Sequence, residues 1–109
     1  MMELNDYQRA ALQTAMEKSP REIIEYCAHG LAGEAGEVSE IIKKHYYHGH
    51  DLCPQQLMDE CGDVLWYVSV LTYTLGFTLG YTAEHNLTKL AARYPEGFSE
   101  ERSRNREES

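Results

Sequence analysis

Gly30-Leu-Ala-Gly-Glu-Ala-Gly-Glu37 places two carboxylates three residues apart inside an apolar helical pattern, and Glu60-Cys-Gly-Asp63 repeats the device further along the chain. Residues three apart share a helix face, so Glu34 and Glu37 project together, as do Glu60 and Asp63. The 22 residues between the pairs are enough for a helical hairpin. With one helix ending near Tyr46 and the next starting near Gln55, Glu37 and Asp63 stand roughly 13 Å and 12 Å from the turn at the usual rise per residue. The two pairs then meet at one level. Carboxylates brought so close repel and resist ionisation unless a cation joins them, and an all-oxygen donor set suits Mg²⁺, Mn²⁺ or Ca²⁺ better than zinc. The four acids therefore read as a metal cage.

The rest of the chain is patterned around this hairpin. No sustained period-2 alternation bounded by turn residues appears, so the chain reads as all-α with four helices. The first is expected over about Asp6 to Lys18, with Asn5 and Gln8 spaced as a capping box. Ser19, Pro20 and Glu22 supply a cap, a first-turn proline and a second capping box for a helix continuing to about Tyr46. Gly30, Gly33 and Gly36 each cost that helix about 1 kcal/mol relative to alanine, which implies either an interruption or a close approach by another group. The third helix, about Gln55 to Leu75, has an apolar stripe of Leu57, Cys61, Val64, Leu65, Val68, Leu71 and Leu75. Tyr67 falls between the directions of Glu60 and Asp63 one turn on, so its hydroxyl is within reach of the acids. The fourth starts after Thr78. It aligns Asn86, Lys89 and Arg93 on one face, where an anion could be held or which could simply be solvated.

His45, His48, His50 and Cys53 lie between helices two and three but match no structural zinc spacing. Glu40 is placed for an ion pair with Lys44. Residues 1–95 form the expected domain. Residues 96–109, with Arg102, Arg104 and Arg106, read as a polar tail, extended or disordered, whose start Pro95, Gly97 and Phe98 can pin.

Bulk properties narrow the function. A chain of 109 residues with a net charge of −8 lacks the basic stripe that displaces counterions from nucleic acid, so no nucleic-acid partner is expected. Its isolated core would be modest, which favours oligomerisation. Three cysteines, Cys27, Cys53 and Cys61, make no disulfide framework and suit a reducing cytoplasm. Val64 to Ala83 carries no charge and is long enough to cross a bilayer, yet its threonines and its glycines at 76 and 80 make it a buried helix and a turn rather than a span. No membrane association is expected.

Taken in order, Gly30-Leu-Ala-Gly-Glu-Ala-Gly-Glu37, Glu60-Cys-Gly-Asp-Val-Leu-Trp-Tyr67, Asn86-Leu-Thr-Lys89 and Arg93-Tyr94 resemble the MazG-type nucleoside triphosphate pyrophosphohydrolases, in the short single-domain form found in bacteria and phages. The resemblance implies a four-helix bundle completed by subunit association as a dimer or tetramer. It also implies Mg²⁺ dependence, with Mn²⁺ as a possible substitute, and hydrolysis of a nucleoside triphosphate, such as a dNTP or a modified nucleotide, to the monophosphate and pyrophosphate. Carried over by position, Glu34, Glu37, Glu60 and Asp63 are metal ligands and catalytic groups, while Asn86 and Lys89, with Arg93, Tyr94 and Tyr67, meet the substrate. Tyr7, Gln8, Trp66 and Tyr67 are candidates to face the base. Cys61, inside the second acidic motif, departs from the small or aliphatic residue expected there. A phosphoribosyl-ATP pyrophosphohydrolase and a non-catalytic helical interaction module are the alternatives.

Overall fold

A computed structural model describes residues 1–105 and contains five helices: α1 (Leu4–Leu12), α2 (Pro20–His48), α3 (Pro54–Thr74), α4 (Leu79–Arg93) and a short α5 (Glu100–Arg104). The fold is all-α, as expected. Arg106 and the end of the predicted tail lie outside the described residues.

Local chemistry explains most boundaries. Ser19 Oγ accepts from the Glu22 amide at 3.2 Å and donates to Glu22 Oε1 at 2.9 Å, with Pro20 at the first helical position. From that cap α2 runs unbroken for 29 residues, about 43 Å of helix, so its glycines do not interrupt it. Gly49 ends it with a φ of +73°, a left-handed conformation that glycine adopts without steric cost. At the end of α3, Gly76 takes a φ of +96°. Its amide returns to Tyr73 O and that of Phe77 to Thr72 O, both at 2.9 Å, which satisfies two carbonyls a helix end otherwise leaves open. Thr78 then caps α4 by accepting from the Tyr81 amide at 3.1 Å.

The α3–α4 corner bends by 99°. It divides the uncharged run at 64–83, and among the described residues no single helix is long and apolar enough to cross a membrane.

The first helix departs from expectation at both ends. Glu3, not Asn5, occupies its N-cap, without a side-chain hydrogen bond. Asn5 and Gln8 are drawn to distant partners instead. Gln8 is buried; its amide nitrogen donates to Ser69 O at 2.9 Å and to Thr72 Oγ1 and Phe77 O at 3.3 Å, and its oxygen accepts from the Leu79 amide at 2.9 Å. Asn5 Oδ1 accepts from the Gly80 amide at 2.8 Å. Together with Thr78 they satisfy the opening amides of α4, and they fasten α1 to the corner. This also corrects the idea that Gln8 faces a base, since its polar atoms are spent on the fold. α1 ends at Leu12 rather than near Lys18 because Thr14 is engaged: its hydroxyl donates to Ala11 O and accepts from Trp66 Nε1, both at 2.7 Å.

The tail also differs: Ser99 caps α5 by accepting from the Arg102 amide at 3.0 Å, and Phe98 packs on Tyr94 with ring centroids 5.3 Å apart. A short helix follows the pinned start where an extended or disordered arm was expected.

The core is small. Among the described residues only Ala11, Cys27, Val70 and Leu79 are buried and apolar, and of the α3 stripe Cys61, Leu65 and Leu75 are exposed. The chain exposes 8362 Å², whereas a compact monomer of its mass would expose about 6,200 Å². Its radius of gyration is 16.8 Å against about 13 Å for a compact chain of this length.

Because Gln8 is the buried link between α1 and the α3–α4 corner, Gln8→Leu should strand the buried Leu79 amide and lower stability by about 2–4 kcal/mol. Urea unfolding followed by circular dichroism measures this; an unchanged midpoint would remove Gln8 from that role.

Candidate active site

The α2–α3 hairpin delivers the acids as its antiparallel geometry requires. Ligand atoms of Glu34, Glu60 and Asp63 all lie within 4.8 Å of one another, the one such group of acidic, histidine or cysteine donors among the described residues. Glu60 Oε2 is buried and has no hydrogen-bond partner, an arrangement that costs free energy unless a ligand satisfies it. The Glu60 carboxyl is pushed up to about 7, first by a hydrogen bond with Glu34, then by desolvation and by the charges of Glu34, Asp63 and Asp59. Crowded carboxylates resist ionisation in this way. An oxygen donor set with an orphaned buried oxygen fits a hard divalent ion.

Not every predicted residue joins this triad. Glu37 stands exposed one turn further along α2 and is outside it. Asn86 and Lys89 are exposed on α4, which starts roughly 16 Å beyond Asp63 along α3 and leaves at 99°, so one chain does not bring them to the acids. Arg93 and Tyr94 are half-buried at the end of the same helix. Tyr67 is at the site. Glu34 and Asp63 act on its hydroxyl, which a hydrogen bond to Tyr26 and burial, ahead of those two charges, push up to about 12. Tyr7 is near as well, its hydroxyl raised by burial and by the charge of Asp63.

Sequence reasoning missed Tyr26, whose ring lies 5.8 Å from that of Tyr67. The signal was present, because Tyr26, Gly30 and Glu34 recur every four residues and so share one face of α2. Away from the site, Glu40 pairs with Lys43 at 3.5 Å rather than with Lys44. His45 Nδ1 donates to His50 O at 2.8 Å, and the histidine loop gathers no metal-ligand cluster among the described residues.

With this geometry in view, comparison with known proteins is decisive. The model of the MazG nucleotide pyrophosphohydrolase domain matches residues 23–98, which contain most of α2 and all of α3 and α4, and hence the whole acidic triad. The chain belongs to the MazG nucleotide pyrophosphohydrolase family. This MazG protein is also similar to the Gene 37 protein of Mycobacterium phage L5, 34% identical over 105 residues that cover 88% of this chain and 92% of that protein. No solved structure matches it significantly.

The raised Glu60 carboxyl gives the metal-free MazG protein a pH signature. A folded-state value above the unfolded one stabilises fully below the ordinary carboxylate value of 4.5 and is lost as pH rises through about 7. Melting in EDTA should therefore show a lower midpoint at pH 8 than at pH 5, and Glu60→Gln should flatten the difference. A wild-type slope equal to that of the variant would deny the raised Glu60 carboxyl.

Proposed function

We propose that this protein is a Mg²⁺-dependent pyrophosphohydrolase that converts nucleoside triphosphates, dNTPs or base-modified nucleotides among them, to monophosphate and pyrophosphate. The observation that carries this reading is the buried, unpartnered Glu60 Oε2 within a triad of converging carboxylates, in a chain of a nucleotide pyrophosphohydrolase family. When bound, the divalent ion supplies charge neutralisation for the triphosphate and acidifies water.

The chain's own residues divide the remaining work. Glu34, Glu60 and Asp63 hold the ion. Glu37, on the same α2 face but outside the triad, faces solvent and serves as general base, taking the proton from the attacking water as it adds to phosphorus. Asn86 and Lys89, with Arg93 and Tyr94, bind phosphate oxygens and offset the charge of departing pyrophosphate. Their separation from the triad within one chain supports a reading in which they serve the site of a neighbouring subunit. A homo-oligomer, dimer or tetramer, covers the surplus apolar surface, including Tyr73, Leu75, Leu87 and Leu90. Three free cysteines suit a reducing cytoplasm.

A screen for pyrophosphate release over NTPs, dNTPs and modified nucleotides, with and without Mg²⁺, tests the activity. No release from any of them would leave a helical interaction module. Among variants, Glu60→Gln and Asp63→Asn should lose both Mn²⁺ affinity and turnover, the latter by about 100-fold or more. Glu37→Gln should lose turnover while keeping Mn²⁺ affinity. Equal metal affinity in all three would undo this division of roles. Lys89→Ala should raise KM by about tenfold or more without altering the melting midpoint; an unfolded variant would make Lys89 structural.

A further inference from the structure

Gly30 lies in the middle of an uninterrupted helix, where glycine costs about 1 kcal/mol relative to alanine. A Cβ at this position would lie 2.3 Å from both Cε1 and Cζ of Tyr67 and 2.8 Å from its hydroxyl oxygen, well inside van der Waals contact. Gly33 and Gly36, on the same helix, have open space where a Cβ would go. The close approach is therefore specific to Gly30. The Tyr67 ring lies directly on the α2 backbone, between Tyr26 at 5.8 Å and Trp66 at 5.1 Å between centroids. Trp66 is itself held by its bond to Thr14 at 2.7 Å. Gly30 precedes Glu34 by one turn on the same face, and Tyr67 follows Asp63 by one turn on α3, so the ring occupies the level next to the acidic triad.

We propose that Gly30 is a positioning residue: its missing side chain creates the seat in which Tyr67 packs against α2, holding the phenol hydroxyl beside the carboxylates as a neutral donor to a phosphate oxygen of the bound triphosphate. The inference rests on the pyrophosphohydrolase reading, in which the family resemblance already places Tyr67 at the substrate, and adds the residue that fixes that contact. A neutral donor suits this location. A hydroxyl with an ordinary value near 10 stays protonated at neutral pH, so it can approach phosphate without forming an ion pair with the carboxylates that are needed for the metal. Adding any side chain at position 30 forces the ring off the backbone and carries the hydroxyl with it. Because the contact to phosphate exists in the ground state as well as the transition state, its loss appears in KM rather than kcat.

The test is a double-mutant cycle. Gly30→Ala, Tyr67→Phe and the pair together should each raise KM for the triphosphate by the same factor, about threefold to tenfold for one neutral hydrogen bond, with kcat and Mn²⁺ affinity unchanged in all. Thermal melting reads the seat independently of turnover: Gly30→Ala should lower the midpoint in the wild-type background but not in Tyr67→Ala, where no ring remains to be displaced. KM effects that add in the double variant, an unchanged KM in Gly30→Ala, or a drop in Mn²⁺ affinity that accompanies the KM change would overturn the proposal. If wild-type protein releases no pyrophosphate, the enzymatic reading fails by itself. The cycle is then read through the affinity for a non-hydrolysable triphosphate analogue, with the same pattern expected and the same additivity decisive.

Discussion

The antiparallel contact between α2 and α3 is the constraint on which the rest of the molecule depends. It sets the register in which Gly30 receives Tyr67 and in which Glu34 meets Glu60 and Asp63. Three acids within 4.8 Å oppose that pairing electrostatically, so the helices must be held by something other than the site. Burial of Cys27 and Val70 and the Trp66–Thr14 bond lie on the side of the acids away from the α2–α3 turn, and the raised Glu60 carboxyl lowers the repulsion wherever it holds its proton.

The division between what the sequence disclosed and what it concealed follows the range of the interactions. The Ser19 cap, the glycine turn after α3 and the Thr78 cap were legible because each involves groups a few residues apart. Both acidic pairs were legible for the same reason, and the turn between them was short enough to fix their common level. Asn5 and Gln8 were misread because their spacing suits a capping box, while their actual partners lie more than 60 residues away. Local propensity also could not show that Trp66 would draw Thr14 out of α1. At the site, spacing placed Glu37 with the other acids, but Glu60 and Asp63 converge on Glu34 while Glu37, at the same spacing, is turned to solvent.

Glycine illustrates the same limit. Three glycines at i, i+3 and i+6 look equivalent in the sequence, and a close approach or an interruption accounts for them equally well. Only the tertiary contact separates Gly30, which a neighbouring ring overlies, from Gly33 and Gly36, beside which there is room. The surplus of exposed apolar surface was foreseeable from length and composition, whereas its distribution over α3 and α4 depended on the bend between them.

The anchoring of Gln8 to Ser69, Phe77 and Leu79 has a consequence for biosynthesis. The N-terminal segment leaves the ribosome first, but its acceptors and donor are made 61 to 71 residues later. Until α3 has emerged, α1 has nothing to hold it, and an isolated helix of nine residues is too short to persist in water. This helix is thus made well before the groups that fasten it, and a nascent polypeptide stalled before α3 would carry it unfolded.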